Sequence, residues 1–138
     1  MVELRKIMPV KSNEIPSKTK QFFENISFEN LVEAWLIRDG WQVYKPHVDH
    51  GAKTDILISD GNLYYRIQVK SIDSGDENTV VKPIWAKSDN IDFVIYFSKK
   101  APWGYITPAF SSPRKLKKPQ HLRFHQEARN FIKAFERA

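Results

Sequence analysis

The chain contains no cysteine among its 138 residues. Disulfide bonds and thiolate metal sites are therefore excluded, and an intracellular, cytoplasmic setting is favoured. No apolar run approaches the roughly 20 residues that a membrane-spanning helix needs, so no membrane partner is expected. The first residues, from Met1 to Pro9, are too polar for a secretory signal peptide.

Length and composition suit one folding unit. A chain of 138 residues with 41% apolar content predicts a single domain, 1–138, with one core. Residues 1–16 carry few core signals and two prolines, and are expected to form an N-terminal arm.

Positive charge is concentrated in the C-terminal part. Residues 99–138 hold ten Lys or Arg and two acidic residues, a net charge of +8, whereas the whole chain carries +6. Such asymmetry suits a polyanionic partner, with nucleic acid as the obvious candidate, and equally suits a solvated basic tail.

The spacing of apolar residues predicts an α/β protein. Three-and-four spacing from Ser17 to Asp39 predicts an amphipathic helix that stops at Gly40. A second helix is predicted over 121–137, and a basic loop over 111–119. Strands are predicted at 41–45, 55–59, 63–71, 92–98 and 103–107. This order predicts a mixed central β-sheet flanked by helices.

The segment from Thr54 to Lys70 contains the main candidate site. Two apolar runs flank Asp-Gly-Asn, which predicts a β-hairpin. Asp55 opens the first run, and Gln68 and Lys70 share one strand face at the end of the second. One end of the hairpin would thus hold the Asp55 carboxylate, the Gln68 amide oxygen and the Lys70 ammonium group. Such a set could bind a hard cation and a phosphate. The Val69 carbonyl is a further candidate ligand for the cation.

The first predicted helix adds a fourth candidate. A hard cation usually takes more than one carboxylate. Glu29 lies near the apolar line of the helix, so it is expected to point inward at the sheet edge. Glu33, one turn later, is expected to be an ordinary solvated glutamate.

Glu29, Asp55 and Gln68-Val69-Lys70 together resemble the PD-(D/E)XK nuclease superfamily. Two branches look closest. Archaeal Holliday-junction resolvases share the order of a helix glutamate, a turn similar to Gly40-Trp41, an aspartate and a hairpin. A group of intron-encoded homing endonucleases from cyanobacteria and phage has Gln in place of the acid, as at Gln68 here. The resemblance covers about 28–108, and Thr54 stands where the family name has Pro.

This resemblance implies a restriction-endonuclease-like core and metal-dependent cleavage of DNA. It implies that Glu29, Asp55, Gln68 and Lys70 form the catalytic set. The ligands of Mg²⁺ would be Asp55, Gln68, Glu29 and the Val69 carbonyl. Mn²⁺ would bind at the same place and support the same reaction. It also implies a bacterial, archaeal or phage-encoded protein.

Further residues are predicted to contact DNA. Arg66 shares the strand face of Gln68 and Lys70. In this position its side chain would bind a phosphate of the cleaved strand or, alternatively, form a surface ion pair. Lys53 and His50 lie in the loop before Asp55. The cluster expected to contact phosphates comprises Arg114, Lys115, Lys117 and Lys118.

Three functional hypotheses follow from these residues. The first is a Mg²⁺-dependent homing-type endonuclease that cuts both strands of a duplex and is therefore a homodimer or homotetramer. The second is a Holliday-junction resolvase acting on branched DNA. The third is a non-catalytic DNA-binding module on a nuclease fold, in which Gln68 marks a lost activity.

Overall fold

The computed structural model describes residues 9–48, 53–85 and 89–138. Its two helices are α1 (Ser17–Arg38) and α2 (Ala128–Phe135). Its eight strands are β1 (Gln42–Tyr44), β2 (Ile56–Ser59), β3 (Tyr64–Ile72), β4 (Val80–Val81), β5 (Phe93–Ser98), β6 (Trp103–Pro108), β7 (Arg114–Lys115) and β8 (Leu122–His125). None of the helices in these ranges is long and apolar enough to cross a membrane.

Six strands form one mixed sheet in the order β1-β2-β3-β5-β6-β8. The β3–β5 pair is parallel and the other pairs are antiparallel. The two remaining strands, β4 and β7, form a separate antiparallel ribbon. The predicted mixed sheet flanked by helices is therefore confirmed.

The two faces of the sheet have separate cores. Both helices pack on one face, where Val32, Trp35 and Phe131 meet strand residues such as Val69. The β4–β7 ribbon and its loops cover the other face, where Leu116 packs near Tyr96. Strand alternation places Gln68 and Lys70 on this second face, because Val69 points towards the helices.

The predicted hairpin and first helix are confirmed, and their ends have clear causes. Gly40 and Gly61 both have a φ of +99°, a backbone conformation that side chains disfavour. Gly40 ends α1, and Gly61 lies in the turn between β2 and β3. In that turn Asp60 Oδ1 accepts hydrogen bonds from the N–H groups of Asn62 and Leu63.

Three sequence predictions need correction. The predicted helix over 121–137 is a strand, β8, followed by the short α2, because Leu122 and Phe124, two residues apart, both pack in the core on the helical face of the sheet. The predicted basic loop over 111–119 contains β7, which pairs with β4. The apolar stripe of α1 is buried only in its second half, and Phe22 is 60% exposed.

Candidate active site

Asp55 is fixed to β3 by both its backbone and its side chain. Its N–H donates to the Ile67 carbonyl at 2.9 Å. Its Oδ2 accepts a hydrogen bond from the Val69 N–H at 2.8 Å. Asp55 stands one position before the Ile56–Ile67 pair, so the register places it beside Gln68. The N–H and C=O of one strand residue point to the same side, and the Val69 carbonyl therefore also faces Asp55.

Gln68 presents a buried amide oxygen. The residue is only 5% exposed. Its Oε1 has no hydrogen-bond partner among the residues that the structure describes. Leaving a buried acceptor unsatisfied destabilises a fold by about 1–3 kcal/mol. A ligand that binds this oxygen would remove that penalty.

Lys70 is half-buried at the same strand end. Burial is the largest influence on the Lys70 ammonium and lowers its pKa, whereas the Asp55 charge raises it and the Lys53 charge lowers it again. The net shift is downward from the ordinary lysine value. The predicted pair Gln68 and Lys70 therefore meets Asp55 in a partly dehydrated environment.

Glu29 of α1 reaches the same place from the other side of the strand end. It lines a cleft of about 200 Å³ together with Asn25, Asp55, Gln68, Val69, Lys70 and Ser71. Ser71 Oγ donates a hydrogen bond to Asn25 Oδ1 at 2.6 Å, which connects α1 to β3 beside the cleft. All four members of the predicted catalytic set thus line one cleft.

Lys45 was not among the predicted site residues. Its Nζ lies 3.5 Å from Glu29 Oε1 and 3.5 Å from Glu33 Oε2. Burial lowers the pKa of Lys45, but the charges of Glu33 and Glu29 outweigh burial and raise it. Glu33 is 17% exposed and ion-paired, so the expectation of an ordinary solvated glutamate is wrong.

The oxygen atoms around the cleft fit a hard divalent cation. Two carboxylates, one amide oxygen and one backbone carbonyl are the ligand types that Mg²⁺ accepts, usually with several waters. Gln68 Oε1 is the strongest indication, because it is buried and otherwise unbonded. No group of three or more His, Cys, Asp or Glu that would hold a metal occurs within the described ranges. The cleft therefore offers two carboxylates, and neutral oxygens and water would complete the shell of a cation bound there.

The predicted DNA contacts separate into two groups. Arg66 lies on the face of Gln68, and its Nε donates to Thr54 Oγ1 at 2.7 Å. Lys53 is close enough to influence the pKa of Lys70. His50 lies outside the described residues. Arg66 and Lys53 thus lie near the cleft through Thr54 and Lys70, although neither of them lines it.

The second group lies on β7 and directly after it, on the side of the sheet that carries Gln68. Lys115, Lys117 and Lys118 are exposed there. Arg114 differs from the predicted loop position, because its guanidinium lies 4.7 Å from the centre of the Phe110 ring. Its Nη1 is 3.5 Å from Nε2 of the buried His121, whose pKa is lowered chiefly by burial. Arg114 is therefore packed into the second core rather than extended into solvent.

Sequence reasoning found the residues on the hairpin but missed those that packing adds. Asn25 stands one turn before Glu29, so helical periodicity would have placed both on one face. Lys45 follows a three-residue edge strand, and its sequence neighbours give no indication of its partners. Only the contact of β1 with α1 reveals its position.

Comparison with known proteins supports the fold. No protein-family model and no curated protein matches the chain. Among solved structures, the bacterial homing endonuclease I-Ssp6803I is similar, with a TM-score of 0.52 and 19% identity over 72% of this chain and 78% of that one. The Holliday-junction resolvase Hjc of Archaeoglobus fulgidus has a TM-score of 0.44 and 12% identity over 76% of this chain and 86% of that one. The expected restriction-endonuclease-like α/β core is confirmed.

Proposed function

We propose that the chain is a Mg²⁺-dependent DNA endonuclease of the homing type. The observation that carries this proposal is the unbonded, buried Oε1 of Gln68, which lines one cleft with Asp55, Glu29 and Lys70. The fold likeness to the bacterial homing endonuclease I-Ssp6803I supports the same choice. Mn²⁺ is expected to support cleavage in place of Mg²⁺.

Asp55, Gln68, Glu29 and the Val69 carbonyl would hold the cation. A divalent cation held there would supply polarisation of the phosphate and a bound water of lowered pKa. Asp55 is held in place by the Val69 N–H, so its carboxylate needs little rearrangement. The Lys70 ammonium offsets negative charge that builds on the phosphate during attack, and its partial burial strengthens that interaction.

DNA would lie across the strand ends that border the cleft. Arg66, which is bonded to Thr54 next to Asp55, and Lys53, which lies near Lys70, suit phosphates next to the cut position. Cutting both strands of a duplex requires two such clefts, so we expect a homodimer or homotetramer in solution. A protein that acts on chromosomal DNA would work inside the cell.

The decisive experiment compares cleavage of linear duplex DNA and of a synthetic four-way junction in Mg²⁺. Wild-type protein should cut particular duplex sites, and chelation should stop it. Lys70→Ala and Asp55→Ala should each lower the rate about 100-fold or more. The matched control is Lys100→Ala, since the Lys100 side chain is 63% exposed.

Three other results would contradict the proposal. Equal rates for wild type and Lys70→Ala would exclude the assigned site. Cutting of unrelated junctions at similar rates, with intact duplex, would indicate a resolvase. Salt-sensitive DNA binding without cleavage in Mg²⁺ or Mn²⁺ would indicate a non-catalytic binding module.

A further inference from the structure

Lys45, directly after β1, faces two acidic side chains of α1 that stand one turn apart. Its Nζ lies 3.5 Å from a carboxylate oxygen of Glu29 and 3.5 Å from one of Glu33. Glu29 also lines the cleft of Asp55 and Gln68. The Lys45 ammonium group therefore pairs both with Glu29, a candidate cation ligand, and with Glu33, which does not line the cleft.

The surroundings make this contact more than a surface ion pair. The side chains of Glu29 and Glu33 are only 21% and 17% exposed, so water screens them weakly. Two carboxylates one turn apart repel each other, and a cation between them relieves that repulsion. A divalent cation between these glutamates would need the space that the Lys45 ammonium occupies.

We propose that Lys45 is a positioning residue that holds Glu29 at the cleft and limits the cleft to one divalent cation by taking the place of a second. This inference rests on the proposed function, since it concerns the same cleft. Gln68 acts in the same direction, because a neutral amide leaves less negative charge to attract two divalent ions.

The test is Mn²⁺ binding to the full chain without DNA. Titration calorimetry and the electron paramagnetic resonance signal of free Mn²⁺ give the number of ions bound per chain. Wild type should bind one ion, and Lys45→Met should bind two. Lys45→Arg keeps the positive charge and should bind one ion, as wild type does. Lys45 is 43% exposed, so Lys45→Met is expected to fold, and circular dichroism checks this.

Lys99→Met is the matched control. Lys99 Nζ lies 3.8 Å from Glu24 Oε2 on the same helix, and neither residue lines the cleft. Lys99→Met also removes one positive charge, but it should leave one bound ion. The double variant Lys45→Met/Glu33→Gln should lose the second ion again, because the second carboxylate is gone.

Three further outcomes would overturn the role of Lys45, and only one of them would also overturn the proposed function. If wild type and Lys45→Met both bind one ion with equal affinity, the role of Lys45 is wrong and the proposed metal cleft stands. If Lys99→Met gains an ion as Lys45→Met does, general charge loss is the cause and the inference fails. If wild type binds no Mn²⁺, the metal-dependent function and the inference fail together.

Discussion

Gln68 combines a structural penalty with a proposed role. Its Oε1 is buried and has no partner among the described residues, although nearly all buried polar atoms in folded proteins are paired. Substitution of Gln68 by Leu keeps much of the volume and removes this unpaired acceptor. We expect Gln68→Leu to raise the free energy of unfolding by about 1 kcal/mol and to abolish Mn²⁺ binding. Urea unfolding without metal and a Mn²⁺ titration measure the two effects.

Gln126 offers a control of the same residue type. Its Nε2 donates to the carbonyls of Ser98, Ala101 and Trp103 at 2.9, 3.2 and 2.8 Å. Gln126→Leu should therefore lower the free energy of unfolding by about 1–3 kcal/mol and leave Mn²⁺ binding intact. Destabilisation by both substitutions would mean that Gln68 already has a partner, such as a bound water.

The residues of the cleft differ in how far sequence alone locates them. Asp55, Gln68 and Lys70 follow from strand alternation and a hairpin turn, which are local features. Glu29 was placed by helical spacing together with a family resemblance. Lys45 depends on how β1 packs on α1, a long-range contact that no local pattern encodes.

Strand β6 passes close to its neighbours at Gly104. A Cβ at this position would overlap the Phe124 ring and lie 2.6 Å from the Tyr96 carbonyl oxygen. The backbone carbonyl belongs to β5 and cannot move aside without disturbing the sheet. We expect Gly104→Ala to lower the free energy of unfolding by about 2–3 kcal/mol, measured by urea denaturation.

Gly75→Ala is the comparison for Gly104→Ala. The nearest atom to a Cβ at Gly75 is Ala101 Cβ at 3.8 Å, an ordinary contact. Gly75→Ala should therefore change stability by less than about 0.5 kcal/mol. Similar effects of the two substitutions would show that β6 and β8 shift apart easily.

The elements that were mispredicted share a physical cause. The segment from His121 to Arg137 satisfies helical spacing through Phe124, Ala128 and Phe131. Its first residues also satisfy strand alternation, so the pattern there fits both a helix and a strand. Pairing of β8 with β6 decides the conformation, and this contact is not visible locally. Strands β4 and β7 have two residues each, too short for any periodic signal.

The basic residues of the C-terminal part lie on both sides of the molecule. Lys115, Lys117 and Lys118 are exposed on the ribbon side, above the sheet face that carries Gln68 and Lys70. Three exposed basic residues of the helical side are Arg129, Lys133 and Arg137. The ribbon set (Lys115, Lys117 and Lys118) and the helical set (Arg129, Lys133 and Arg137) carry equal charge and differ in their position relative to the cleft.

Reversing each set to Glu tests whether position or total charge determines DNA binding. In a Lys70→Ala background with chelator, fluorescence anisotropy gives the affinity for duplex DNA between about 50 and 200 mM salt. Reversal of the ribbon set should weaken binding and reduce the slope of log affinity against log salt by about 2 to 3, since each lost phosphate contact removes about 0.9. Reversal of the helical set should alter the slope by less than 1, because Arg129 and Lys133 lie beside Arg38 at the C-terminal end of α1 and do not line the cleft. Equal losses for the two triple variants would mean that overall charge attracts DNA and that the ribbon makes no phosphate contacts.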